Sequence, residues 1–527
     1  MRPWLATTAL LGLMWAGSAA AQRTRAEITD ARETSTLADV VTFLDSLARI
    51  TPDIRIGSLG TSAQGRSIPY TLAARPLVTD PADAHRTGKP IIYVQANIHA
   101  GEVEGKEASL MLLRDLTVGS LRPLLDSLIL IVVPVYNADG NEAFAPGERN
   151  RPGQNGPALV GRRQNGQGLD LNRDLVKQEA PETRALLAMV GAWDPDLYLD
   201  LHTTNGSYHG YVLTYSPGLN ANGSPANDFV RDRFLPELRR RMRANHRHET
   251  FWYGNFENQE PDSLVQGWRT FEPHLRYASN WGGFRNRMSI LSEAYSNADF
   301  PTRITATYHF VLEALRFAAA ERTTIKQLNA ASARLRPDSV TIRSTFAPPT
   351  QADVIAEITE RAGEGGGGFA RRRRTGVFRT VRMPVFDRFA ATAREPIRAG
   401  YLVPPQHSHL IELLRRQGIG VERTSAPWSG EVEAFRIDSV VAQPNPFEGH
   451  RLVRVEGGWT RRAAEAPAGA YFVPTDQRLG VMAAYLLEPR SEDGFVTWNF
   501  LDRDLRRGSE YPIWRVSSAP TPRRLVP

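Results

Sequence analysis

The 527-residue chain exceeds a usual single domain and 41% of it is apolar, enough for a sizeable core, so two domains with connections are expected. It contains no cysteine, which excludes disulfides, thiolate ligands and a cysteine nucleophile and leaves any metal to histidines and carboxylates. The formal net charge of +7 comes almost entirely from arginines scattered along the chain, the pattern of a solvated surface, and no nucleic-acid partner is expected.

The opening residues, MRPWLATTALLGLMWAGSAAAQ, hold Arg2, an apolar run from Trp4 to Ala16 and a small-residue stretch ending Ala19, Ala20, Ala21. This is the layout of a cleavable secretory signal with an A-x-A site, too short for a spanning helix. The mature chain is expected to begin near Gln22 and to be secreted or periplasmic. No later segment reaches the roughly 20 apolar residues a membrane helix needs, so no membrane span is expected.

Helical spacing covers residues 37–50, and residues 54–60 followed by GTSAQGRSIPY read as strand, turn and strand. The apolar run 91–94 reads as a buried strand leading into NIHAGEVEGKEA, with an amphipathic helix over 103–116. SLILIVVPV, residues 127–135, is a second fully apolar strand, followed by turn chemistry at Asn137, Ala138, Asp139 and Gly140. Further strands are expected at 197–201, 211–215 and 289–291, and helices at 181–193, 225–244 and 302–320. Apolar strands alternating with helices predict an α/β fold: a mixed central sheet with helices on both faces and a site at the carboxyl ends of its strands.

From about Arg361 the run GEGGGGFARRRRTG changes the composition and reads as a linker, since no aromatic residues interleave with its arginines for base stacking. Beyond it, residues 400–421 read as strand, helix and strand, and 470–500 as two or three short strands, a smaller α/β or β-rich domain. The expected division is 1–21 signal, 22–325 catalytic domain, 326–380 linker and 381–527 accessory domain.

His99 and Glu102 stand three residues apart where a strand end turns into a helix, a spacing that lets imidazole and carboxylate converge on one metal ion. A catalytic zinc needs a third protein ligand. His202, ending the apolar strand 197–201, occupies the same kind of position as His99; His209 follows a Gly-Ser turn, and His246 and His248 read as an exposed pair among arginines. In GRRQNGQGLDLNRD, Asp170 is placed to accept the free N–H of a ligating histidine. Arg162, Asn172 and Arg173 offer a carboxylate-binding fork and a neutral donor suited to an anionic group and a developing oxyanion. Glu293, in the apolar strand SILSEAY, is a carboxylate that a buried face tolerates only if it is paired, near a metal or protonated.

The order H-x-x-E, N-x-D-G, D-L-N-R, D-L-H and a late strand Glu resembles the zinc carboxypeptidases of the A, B and T kind, with the funnelin-type fold, from about Thr36 to Ala320 and including the G-x-S-x-x-G-R turn of Gly60 to Arg66. The resemblance implies one zinc ion per chain on His99, Glu102 and His202, with Glu293 as general base and acid. It also implies Asn172 and Arg173 on the terminal carboxylate of a peptide substrate, and Arg162 on the scissile carbonyl. Arg163 competes with Arg162, because Gly161 stands where the family commonly has an aromatic residue. Tyr277 is the only nearby candidate for the family's mobile tyrosine, at a spacing shorter than usual. The tail beyond about Leu328 resembles C-terminal extensions of some bacterial members.

The expected function is an exported zinc metallocarboxypeptidase. Two other readings are a zinc acylase or amidase of the desuccinylase and aspartoacylase kind, against which the N-terminal helix and the G-x-S-x-x-G-R turn speak, and a non-catalytic peptide-binding protein on the same scaffold, against which the full catalytic residue set speaks.

Overall fold

The computed structural model of the protein describes residues 22–361 and 372–525. The signal-like segment 1–21 lies outside these, as does the glycine stretch with the first arginine of the basic cluster.

The site rests on a central sheet of eight strands: β1 (Ile54–Thr61), β2 (Ser67–Ala73), β3 (Ile91–Ala96), β4 (Ile129–Val133), β5 (Leu197–Thr203), β6 (Leu213–Pro217), β7 (Thr250–Trp252) and β8 (Met288–Ala294). Their spatial order is β1-β2-β4-β3-β5-β8-β6-β7. The four central strands β4, β3, β5 and β8 run parallel, while β1 with β2, β2 with β4 and β8 with β6 are antiparallel. Every residue of β3, β4, β5 and β8 is buried, which the near-continuous apolar runs of these strands require and which needs helices on both faces.

Helices Glu104–Thr117 and Phe300–Ala320 pack on each other, and Ala278–Phe284 packs against β5 and β8. Leu37–Ala48 starts at Thr36 with a reciprocal capping box to Asp39, which satisfies two otherwise unpaired amide groups. The helix expected over 225–244 is divided into Pro225–Phe229, a π turn at Val230–Phe234 and Leu235–His246. Pro236, in the first turn of the last piece, has no N–H to continue the ladder. Asn137 does cap a turn, but a helical one: its side chain accepts from the Gly140 amide at 2.8 Å at the start of Ala138–Glu142.

The segment expected to be a linker is structured wherever it is described. It contains helix Arg322–Ala333, strand Ser339–Phe346 and the long antiparallel strands Thr350–Arg361 and Arg372–Phe386. The last two join Asn255–Phe256 and Trp268–Arg269 in a four-stranded sheet, over a core of Tyr211, Phe251, Trp268, Val354, Met383 and Val385. The arginine cluster belongs in a strand because the facing strand carries its counter-charges: Arg373 bonds Glu360, Arg374 Nε meets Glu357 at 2.7 Å and Arg382 meets Asp353 at 3.3 Å.

The C-terminal part is β-rich. Its seven-stranded antiparallel sheet includes Gly400–Val403, Trp428–Ala442, Val453–Ala466 and Tyr471–Pro474. Where two or three short strands were expected over 470–500, a single strand is followed by helix Gly480–Leu487, whose apolar sequence GVMAAYLL has no period to distinguish helix from strand.

The two parts share one continuous apolar core. Gln417, fully buried, joins them: its Oε1 accepts from Trp281 Nε1 at 2.7 Å and its Nε2 donates to the Leu175 carbonyl at 2.6 Å. Gln417→Ala orphans two buried polar groups, each worth about 1–3 kcal/mol, so a loss of about 2–6 kcal/mol is expected. Urea unfolding read by tryptophan fluorescence and by circular dichroism should show that loss in one shared transition.

Candidate active site

The parallel register brings the candidate residues together. Ala96 of β3 pairs with Leu201 of β5, and Glu293 of β8 lies directly across from His202. Side chains alternate along a strand, so register partners project from the same face and His202 and Glu293 stand side by side. Asn97 then takes the left-handed conformation, φ 64°, and donates its side-chain amide to the carbonyls of Ala100 and Glu102, turning the chain so that His99 returns over the sheet edge. Gly105 opens the following helix because a Cβ there would come within 2.9 Å of the Leu201 Cβ.

Glu102 is the centre of the cluster. Its Oε1 is 3.0 Å from His99 Nδ1, and its Oε2 is 3.0 Å from His202 Nδ1 and accepts from the Thr203 amide at 3.0 Å. The outer nitrogens face carboxylates: His99 Nε2 lies 3.2 Å from Asp170 Oδ1, and His202 Nε2 lies 3.0 Å from Asp200 Oδ2. Both imidazoles therefore aim Nδ1 inward and face a carboxylate on the other side; Asp170 is hydrogen-bonded to His99, the arrangement that orients a metal-ligating histidine, while Asp200 lies close to His202 as a counter-charge. His99, Glu102 and His202 could hold a metal ion, with one ligand atom from each lying within 4.8 Å of the others.

The electrostatics suit a cation. Burial opposes the charge on His202, yet Asp200 and Glu102 hold its pKa well above the ordinary histidine value. Burial likewise opposes ionisation of Glu102 and Asp170, but Arg151 and His99 hold Glu102 well below the usual carboxylate range, and His99 and Arg163 do the same for Asp170. Glu293 behaves in the opposite way: burial, with the Glu102 charge adding to it, pushes it up to about 8. Its Oε2 is buried without a hydrogen-bond partner.

A cavity of about 220 Å³ opens beside this cluster, with Glu293 on one wall and Asn172, Arg173 and Tyr277 on another. Asn172 is fixed by accepting from the Ala278 amide at 2.8 Å, and the Arg173 guanidinium lies 4.4 Å above the Tyr277 ring. Tyr277 donates to Glu272 at 3.1 Å, and burial pushes its phenol up to about 12, so it is a neutral donor at working pH.

One assignment changes. Arg162 is exposed and turned away, donating to the Asn165 carbonyl at 2.7 Å, whereas Arg163 lines the cavity and donates through Nε to Asp170 at 2.9 Å. Gly161 has no room for the aromatic residue common in the family, since a Cβ would meet the Ala100 and Gly140 carbonyls at 2.6 Å. The remaining histidines stand apart. His209 packs 4.3 Å from the Tyr295 ring, and His246 and His248 are half-buried against His309.

Sequence reasoning missed Asp200, Arg151 and Tyr253. Asp200 had a signal, a charge two residues before His202 in an otherwise apolar strand and so on the same face. Arg151 had none: it arrives from a distant loop, placing Nη2 3.2 Å from Glu102 and donating to the Thr203 and Thr204 carbonyls at 2.6 and 2.9 Å. Tyr253 lines the cavity after β7, and nothing in its sequence surroundings marks it.

Residues 40–263 match the zinc carboxypeptidase family model, Peptidase_M14. Carboxypeptidase 2 of Trichophyton rubrum is 24% identical over 483 residues, covering 86% of this chain and 81% of that protein. Carboxypeptidase D of Mus musculus is 30% identical over 160 residues, 25% of this chain and 11% of its own length. Among solved structures, a metallo-carboxypeptidase from Burkholderia cenocepacia shares 16% identity over 55% of this chain and 70% of its own, with a TM-score of 0.40. The relatives that span most of the chain are fungal, so the expected bacterial affiliation finds no support among them. The matched segment contains His99, Glu102, Arg163, Asp170, Asn172, Arg173 and His202 and ends before Glu293, which the strand register places beside them.

Folded, metal-free protein keeps the Glu293 proton up to about pH 8, while the unfolded chain releases it near 4.5. The folded state binds more protons between those values, so this group makes stability fall as pH rises through the window. Glu293→Gln lacks the dependence. The stability difference, wild type minus variant, should therefore decline across the window in urea titrations of the metal-free proteins.

Proposed function

We propose that this protein is a zinc-dependent metallocarboxypeptidase that hydrolyses the C-terminal peptide bond of peptides with a free carboxylate. The observation that carries the reading is Glu293, buried beside His202 with an unsatisfied oxygen, in a cavity that also presents Arg173. A base, a metal-ligating triad and an anion site thus surround one small space.

His99, Glu102 and His202 would hold zinc, which supplies an activated water and polarises the carbonyl. Arg173 and Asn172 bind the terminal carboxylate and so set the scissile bond one residue from the end. Glu293 takes the proton of the attacking water and passes it to the leaving amine, a role its place beside His202 on the cavity wall allows. Arg163 donates to the oxygen that becomes negative, and Asp170 keeps the guanidinium in place. Export is proposed on the character of residues 1–21; among the described residues no helix is long and apolar enough to cross a membrane.

Three variants separate these roles. His202→Ala should purify folded with little or no zinc by metal analysis, because the core and not the metal carries the fold. Glu293→Gln should retain zinc while kcat falls by about 10² to 10⁴. Arg163→Gln should retain zinc and lower kcat more than it raises KM. On one peptide with a free and an amidated C-terminus, only the free form should be cut. Equal cleavage of both would favour an acylase or endopeptidase.

A further inference from the structure

Where the two parts of the chain meet, positive charge is buried in excess. Arg285 follows the helix Ala278–Phe284 and is only 1% exposed. Its guanidinium lies 4.9 Å from the centre of the Trp281 ring and donates through Nη1 to the Gln417 carbonyl at 2.6 Å, while Nε and Nη2 are buried without a hydrogen-bond partner. Nη2 faces the C-terminal part. A Cβ built on Gly418 would stand 3.8 Å from it and 3.7 Å from Leu479 Cδ1, ordinary contact distances, so a space of about methyl size adjoins the orphaned donor.

Two more arginines lie close by and share one carboxylate. Arg287 donates through Nη2 to Asp194 at 2.6 Å, and Arg478 of the C-terminal part bonds the other oxygen of the same side chain, at the end of helix Pro181–Trp193. Arg287 Nε is likewise buried without a partner. Among the described residues Asp194 is the one carboxylate that pairs with any of these arginines, so three guanidinium charges meet a single negative one. Burial first, and then the charges of Arg478 and Arg287 against the pull of Asp194, lower the Arg285 pKa to about 9, which leaves it charged at neutral pH. A desolvated cation without its own counter-charge is costly. Water would satisfy the N–H groups and leave the charge, whereas a small anion answers both.

We infer that Arg285 binds a monovalent halide ion in the space beside Gly418 and Leu479, and that the ion stabilises the junction between the catalytic and C-terminal parts. The methyl-sized space suits a single ion, and larger oxyanions do not fit it. The site uses no residue of the cavity beside Glu293 and does not depend on the carboxypeptidase reading.

The zinc-loaded full chain is to be unfolded by heat in sodium chloride, bromide or methanesulfonate at equal ionic strength, the last being an anion too large for the space. The wild type should gain about 2–3 °C more in either halide when the halide stands about 100-fold above its Kd, and the gain should follow a binding curve. Arg285→Met should lose this increment, and Arg285→Lys, which keeps the charge without the fork of donors, should need about tenfold more halide. Arg173→Gln should keep it, which separates the site from any halide bound in the cavity beside Glu293. Crystals grown in bromide should show an anomalous peak against Arg285 Nη2. An ordered water there with no bromide, an increment unchanged in Arg285→Met or lost in Arg173→Gln, or a bromide peak with no halide increment in solution, which is binding at crystal concentration only, overturns the assignment. Should the Arg285 variants fail to fold, the wild-type increment and the bromide peak decide it.

Discussion

Glu102, Asp170, Asp200 and Glu293 bring four carboxylates to the buried carboxyl edge of β3, β5 and β8, and that concentration of negative charge governs everything around it. Like charges at this separation in a poorly solvated site cannot all ionise unless cations share the space. Two imidazoles and the guanidinium groups of Arg151 and Arg163 supply part of the balance. Glu293 absorbs the remainder by holding its proton, burial pushing it up to about 8. The same concentration of carboxylates suits a divalent ion, which His99, Glu102 and His202 could hold.

The register of three parallel strands makes this cluster possible. His99 follows β3, His202 lies in β5 and Glu293 in β8, so no flexible segment has to bring them together. The geometry of the cluster is thereby tied to fully buried, hydrogen-bonded strands. The loop carrying Asp170, Asn172 and Arg173 lacks that support from the sheet and gains it elsewhere: Asn172 is tied to the helix Ala278–Phe284, and the Leu175 carbonyl and Gln178 are bonded to Gln417 and Leu413 of the C-terminal part.

That dependence gives the C-terminal part a physical role. It buttresses the loop carrying Asn172 and Arg173, it holds Arg276 through Asp493, and through Arg276 it holds the turn bearing Glu272 and Tyr277. The antiparallel strands Thr350–Arg361 and Arg372–Phe386 pack on the Tyr208 to Tyr211 segment that follows His202.

Much of this was legible in the amino-acid sequence. Apolar runs of strand length with intervening helical periods marked every strand of the central sheet except the edge strand β7, because a buried parallel sheet admits little else, and the strand-end positions of His99 and His202 and the misplaced charge of Glu293 marked the site. The sequence could not choose between Arg162 and Arg163, since neighbouring residues on a loop point in different directions and only the fit of Gly161 under two carbonyls decides which enters the cavity. Nor could it recognise the arginine cluster as part of a strand, because its counter-charges lie on a partner that pairs with it only after folding. Local pattern determined the elements and the ligand types. Arg151 on Glu102 and Arg173 over Tyr277 are contacts between distant segments, set by how the loops pack once the sheet has formed.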